Sequence, residues 1–231
     1  MAQKINPISF RLGVIQLWNS SIQIYGKSLN YYTLILHKYL QLQNILTKLF
    51  IKNKLSLNSQ KWCIQKNVII VSLYYTHLPY TRKLNHKIFF RKVFRIINQW
   101  FFIPIKLHFY FKSKSKSTVN LIAIYTRHLL NQNIVNKKVL WNLCKLLELQ
   151  LNIEKVSFFK TGLFKTKLKG FRIRLAGRLD GSKNQMAKSI EQTVGSLPLT
   201  NIKSYVEYKN EEVHTKSGIC GLQIWLFYEI N

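Results

Sequence analysis

The first carboxylate in the chain is Glu148. Residues 1–147 hold 23 Lys and Arg and no Asp or Glu, whereas residues 148–231 hold 13 basic and 8 acidic groups, a net of +5. A segment with one sign of charge cannot quiet its surface with ion pairs, and its compact state repels itself. Yet 47% of the residues are apolar, enough for real cores rather than a disordered basic tail. The missing negative charge must therefore come from outside. A polyanion supplies it, and each neutralised phosphate releases counterions, with a log–log salt slope of about −0.9 per contact on duplex DNA and about −0.7 on single strands. With a net charge of +28 and a pI near 10.2, nucleic acid is the expected partner. An anionic membrane surface and a merely solvated basic surface are the alternatives.

Other classes are excluded by what the sequence lacks. The longest charge-free runs, LGVIQLWNSSIQIYG and NVIIVSLYYTHLPYT, have about 15 residues against the roughly 20 that a membrane span needs. Cys63, Cys144 and Cys220 are odd in number and widely separated, which fits neither a disulfide framework nor a metal site and implies a reducing compartment. His37, His77, His86, His108, His128 and His214 are scattered, without H-E-x-x-H or C-x-x-C. His214 follows Glu211-Glu212, but that stretch reads as a hairpin turn. We expect no catalytic or metal site, no cofactor and no small-molecule substrate. No glycine lies between Gly26 and Gly162, so a Walker loop, a dinucleotide turn and a G-x-x-G phosphate clamp are all excluded there.

Phe, Tyr, Ile, Asn and Lys make up about two-fifths of the chain. These are residues of A/T-rich codons, as in many organellar genomes or an A/T-rich microbe. The start shows neither an Arg/Ser-rich transit peptide nor an apolar signal region, and a protein made inside an organelle would need neither.

The pattern along the chain predicts an α+β protein. Residues 1–27 read as an arm and loop punctuated by Asn6-Pro7, Gly13 and Gly26. A helix capped by Ser28 or Asn30 should run to about Lys52. VIIVSLYY (68–75) reads as a buried strand. Over 85–100, Phe89, Val93, Ile96, Ile97 and Trp100 form one helical stripe, with Lys87, Arg91 and Arg95 opposite. After Pro104 the period changes: Ile105, Leu107, Phe109 and Phe111 alternate with Lys106, His108, Tyr110 and Lys112. KSKSKS (112–117) reads as a solvated linker and marks a boundary, giving an arm (1–27), a first domain (28–117) and a second (118–231). The first follows the order helix–strand–strand–helix–strand. The second should begin with helices near 118–131 and 134–150, followed by strands at 170–177, 201–209 and 218–228.

Two clusters suit RNA. In FRIRLAGRLDG (171–181), Phe171, Ile173 and Leu175 should face inward, which turns Arg172 and Arg174 outward with Arg178 just beyond Gly177. Guanidinium forks on one strand face suit phosphates. On the helix near 134–150, spacings of four align Lys137, Trp141 and Lys145, opposite an apolar line of Val135, Val139, Leu143 and Leu147, with Lys138 alongside. Ammonium groups beside an aromatic suit a single-stranded backbone with a base to stack. A solvated strand face and a core Trp141 are the bland alternatives.

The two ends together resemble one family. M-A-Q-K-I-N-P…R-L-G is similar to the M-G-Q-K-[VI]-[HN]-P…R-L-G start of the universal small-subunit ribosomal protein S3: Gln3, Lys4, Asn6, Pro7, Arg11, Leu12 and Gly13 match, Ala2 replaces Gly, and Trp18-Asn19-Ser20 continues it. A-G-R-L-D-G (176–181) resembles that family's S-G-R-L-x-G. S-L-P-L-T-N-I-K-S-Y-V-E-Y (196–208) resembles R-V-P-L-x-T-L-R-A-x-I-D-Y, and V-H-T-K-S-G-I-C-G-L-Q-I-W-L-F (213–227) resembles A-H-T-x-Y-G-x-I-G-V-K-V-W-I-F. The departures are Ser196 for an Arg, and Lys188 near another.

The resemblance implies a degenerate KH-like (type II) domain at 28–117, with His77-Leu78-Pro79 where the G-x-x-G loop would stand. It also implies a C-terminal two-layer α/β domain with a mostly antiparallel sheet. It implies a structural, non-enzymatic constituent of the small-subunit head. Its partners would be small-subunit rRNA, neighbouring head proteins, and mRNA at the channel where it enters. Lys4, Arg11, Arg172, Arg174, Arg178, Lys183 and Lys188 would meet rRNA. Lys137 and Lys138, with Trp141 in place of a third basic residue and Lys145 beyond it, would meet mRNA. The expected place is a mitochondrial matrix ribosome, with the plastid as the alternative. A free-standing organellar RNA-binding factor in splicing or maturation is the rival function.

Overall fold

The computed structural model describes residues 5–22, 29–53, 55–65, 68–77, 86–101, 103–111, 118–132, 134, 136–159, 162–179, 186–216 and 218–230. The chain divides into two compact units, one formed by Asn19–Lys114 and the other by Met1–Trp18 together with Ser115–Asn231.

In the unit 19–114, β1 (Ser20–Ile22), α2 (Leu29–Lys52), β2 (Leu55–Ile64), β3 (Ile69–His77), α3 (His86–Trp100) and β4 (Ile105–Phe111) follow in order; a short α1 (Pro7–Arg11) precedes them. The sheet runs β1-β2-β3-β4 and is mixed: β2 and β3 are antiparallel, while both outer strands lie parallel to their neighbours. Leu42, Leu46 and Phe50 of α2 and Val93 and Ile97 of α3 are fully buried against Ile69, Val71 and Leu73 of β3 and against Trp62. Each such side chain contributes roughly 1.5–3 kcal/mol by leaving water. The expected stripe on α3 faces this core, and Lys87, Arg91 and Arg95 lie exposed on its far side.

In the other unit, α4 (Val119–Asn131) and α5 (Asn136–Glu148) precede β5 (Glu154–Phe159), β6 (Gly162–Gly177), β7 (Lys188–Gly195), β8 (Tyr205–Thr215) and β9 (Gly218–Ile230). All pairings among these strands are antiparallel. β6 is long enough to take β5 along its first half and β7 along its second, with β9 on its other side. Val139, Leu140, Leu143 and Leu147 of α5 join Phe171, Ile173 and Leu175 of β6 in one core. Glu207 of β8 reaches across to accept from the Val119 amide at 3.3 Å, satisfying a donor at the start of α4.

Gly170 faces Gly195 across the β6–β7 pair. A Cβ on either would sit 2.1 Å from a backbone oxygen of the other segment, and Gly195 has φ +76°, so glycine alone fits. The adjacent β6–β9 ladder slips between Leu168 and Gly170, a bulge that lets β6 bend.

Three readings of the sequence are corrected. Glu211, Glu212 and His214 lie within β8, which pairs with β9 as far as Thr215 opposite Gly218, so the reversal comes later than expected. β8 begins at Tyr205 rather than near 201, because residues 201–204 form a turn. β5 and β7 are strands the periodicity does not reveal, while β2 fills the first strand of the expected order, whose bounds the periodicity does not set. The helix caps Ser28 and Asn30, Val135, the Leu78-Pro79 stretch and the 112–117 linker have no described side chains.

Candidate nucleic-acid interface

Alternation along β6 places Arg172 and Arg174 on the face away from the core, since Phe171, Ile173 and Leu175 are buried. The structure adds a residue that the sequence did not point to. β7 pairs with β6 so that Glu191 lies directly across from Arg174. Its carboxylate accepts from Arg172 Nη2 and lies 3.0 Å from Arg174 Nε. One carboxylate thus serves two guanidiniums, and the face keeps one positive charge in excess. Arg172 also lies over the Trp225 ring of β9, 5.3 Å from its centroid, which holds its fork in place. Both arginines remain about a third exposed, at 32% and 27% of their side chains. Arg178 follows Gly177, half-buried, and Lys188 opens β7 exposed, opposite Gly177. Lys4 and Lys183 lie outside the described residues.

Arg11 is elsewhere in chemical terms. Pro7 at the start of α1 and Asn6, whose Oδ1 accepts from the Ile8 amide at 3.0 Å, start this single turn. Arg11 at its end is wholly buried. Its guanidinium donates to the carbonyls of Pro7 (3.0 Å), Leu199 (2.9 Å), Asn201 (2.7 Å) and Ser204 (2.8 Å), and to Ser204 Oγ (2.9 Å). Gln16 extends the seam by donating to the Val206 carbonyl at 2.7 Å. Burial lowers the pKa of Arg11, but a guanidinium stays charged near neutrality. All of these hydrogen bonds go to carbonyl dipoles and a hydroxyl within the protein. The expectation that Arg11 meets an rRNA phosphate is therefore corrected: it fastens the arm to the turn before β8.

On α5 the helical face expected from the spacing is formed. Lys137, Lys138 and Lys145 are exposed, and Trp141 is 58% exposed rather than core. Lys145 Nζ sits 5.1 Å from the Trp141 ring centroid. A shallow groove separates this face from β7, lined by Lys137, Lys138 and Trp141 on one side and Ile190 and Gln192 on the other. The Cys144 thiol donates to Gln192 Oε1 at 2.8 Å and so joins α5 to β7. Burial, with Glu148 nearby, raises the Cys144 pKa, so it remains a thiol and a donor. The arrangement offers point charges and one exposed ring, which can hold a phosphate backbone and stack a base.

Among the described residues there is no group of three or more His, Cys, Asp or Glu able to hold a metal, and no helix long and apolar enough to cross a membrane.

A family model described as ribosomal protein S3, C-terminal domain, matches residues 157–226. The whole chain is similar to curated proteins. It is 46% identical over 228 residues to small ribosomal subunit protein uS3m of Chondrus crispus, covering 99% of this chain and 94% of that protein. It is 28% identical to uS3c of Epifagus virginiana, covering 99% of both, and 26% identical to uS3 of Carsonella ruddii, covering 100% and 99%.

Proposed function

Because the chain belongs to the uS3 family, structural and non-enzymatic proteins of the small ribosomal subunit, we propose that it builds the subunit head of a mitochondrial ribosome by binding rRNA and neighbouring ribosomal proteins. The charge carries this reading. The unit 19–114 has 16 Lys and Arg and no Asp or Glu, on a fold whose apolar residues already close a core. Such a unit is completed by a polyanion. The higher identity to uS3m than to uS3c supports the mitochondrion over the plastid.

In this reading Arg172, Arg174, Arg178 and Lys188 meet rRNA phosphates, with Lys4 and Lys183 as further contacts. Phosphate contacts supply position and affinity, while folded RNA shape supplies specificity. Lys137, Lys138 and Lys145 with Trp141 line the wall where mRNA enters. The helix–strand–strand–helix–strand order on a mixed sheet supports a degenerate KH-like unit at 28–117.

The entrance role is tested by Lys137→Ala with Lys138→Ala. The doubly changed chain should enter small subunits at the wild-type level, yet translate a reporter with a stem near its start poorly. Unaltered reporter output removes that role. Recovery of the chain with other RNAs, away from small subunits, would favour a free-standing splicing or maturation factor instead.

A further inference from the structure

α2 and α3 both pack on one face of the β1–β4 sheet, since the residues of β3 buried beneath them are Ile69, Val71, Leu73 and Tyr75. The alternate residues point to the other face. Three rows cross it, set by register: Ser59, Tyr74 and Tyr110; Lys61, Ser72 and His108; Cys63, Ile70 and Lys106. Tyr74 and Tyr110 stack with centroids 5.0 Å apart and planes within 17°. Lys61 Nζ lies 5.9 Å from the Tyr74 ring, and the His108 ring lies 6.3 Å from Tyr110. Tyr110 is 46% exposed, and Lys106 and His108 are exposed beside it. β4 is the outer strand of the sheet, so Tyr74 covers the inner side of Tyr110 and the rest of the ring is left open at the sheet edge.

The geometry points to this face as a second RNA-binding surface, a stacking platform for an unpaired nucleotide, with Tyr110 as the base-stacking ring and Lys61 and Lys106 near the backbone. The inference rests on the RNA-binding reading above. The occupant is set by charge and by shape. The unit has no carboxylate to repel a phosphate or to attract a basic protein surface. Bases inside a duplex already stack on each other, so the open ring serves a single strand, and every base has a face that fits it.

The test uses the full chain and two fluorescein-labelled probes, an oligouridylate of about twelve nucleotides and an RNA duplex of similar length, read by anisotropy across a salt series. Tyr74→Ala with Tyr110→Ala should weaken the single-strand probe by roughly tenfold or more and leave its salt slope and the duplex affinity unchanged. Tyr74→Phe with Tyr110→Phe should bind as wild type, because the ring and not the hydroxyl stacks. Equal single-strand affinity for the Ala pair and wild type overturns the platform while leaving the wider reading intact. A wild-type chain that binds neither probe overturns both. Ultraviolet crosslinking of unmodified small subunits gives a readout that needs no variant. Nucleotide adducts on Tyr110, Tyr74 or His108 support the platform, and a protein neighbour seated over Tyr110 overturns it.

Discussion

Arg11→Met keeps a flexible apolar stem and removes the fork. Five acceptors lose the guanidinium at once, the carbonyls of Pro7, Leu199, Asn201 and Ser204, and Ser204 Oγ, although the Asn201 carbonyl keeps the Ser204 hydroxyl as a donor. Hydrogen bonds to a charged donor contribute about 1.5–3 kcal/mol each, but they share one desolvation cost, so they do not add. A net loss of about 3–5 kcal/mol follows, the range for stranding one side of a buried charged network. For a chain of this size each kcal/mol moves the melting midpoint by about 2–4 °C, so a drop on the order of 10 °C is expected. Differential scanning calorimetry measures the drop, and hydrogen exchange locates it: amides around Ser204 and Val206 should lose protection. Arg11→Lys should recover less than half, because an ammonium has three donors and no fork. The RNA affinity's salt slope should not change. A midpoint shift of less than about 2 °C, with a slope shallower by about 0.7, would refute the fastening role and return Arg11 to the phosphate contacts.

Other consequences follow from single contacts. Gly195→Ala should destabilise by about 2 kcal/mol or more, read from chemical denaturation, because φ +76° and the Lys169 oxygen both oppose a Cβ. Glu191→Gln should free Arg172 and Arg174 and steepen the salt dependence of single-stranded RNA binding by about 0.7; an unchanged slope would show that those arginines meet no phosphate. Burial, with Glu207 and Tyr205 adding, holds the Tyr228 pKa well above its ordinary value near 10.0. A raised folded value means that stability is complete below the unfolded value and declines as pH climbs through 10 toward the folded one. Thermal melts between about pH 9 and about pH 11 should therefore show a smaller loss for Tyr228→Phe than for wild type.

Elements with one buried face were legible. The α3 stripe and the β4 alternation each have a single clean period; α3 buries the side its period marks, and β4 half-buries Ile105, Leu107 and Phe109 while Phe111 at its end stays exposed. β2 is present in the expected order of elements, but its own irregularity hid its bounds. Its register shifts between Leu57 and Ser59, so the inward set moves from Leu55 to Asn58, Gln60, Trp62 and Ile64 and the apolar alternation breaks. Gln60 is tolerated there as the acceptor of the Trp62 Nε1–H, at 3.1 Å. β7 carries few apolar residues and lies half exposed, which leaves little period to see.

At the site, the facing of Arg172 and Arg174 and the Lys137–Trp141–Lys145 row depended on local spacing and were readable. The Glu191 clamp and the burial of Arg11 were not, because both arise from pairing between distant segments. Arg11 and Ser204 lie 193 residues apart, and no short motif encodes the converging carbonyls.

In the proposed role this cationic chain reaches its working state on small-subunit rRNA. The direct measurement is gradient sedimentation of the tagged chain from its own organelles in high salt, with the RNA in each fraction identified. The chain and small-subunit rRNA should peak together, and ribonuclease treatment should separate them. A chain that stays near the top of the gradient, or that travels with other RNAs, would contradict that role.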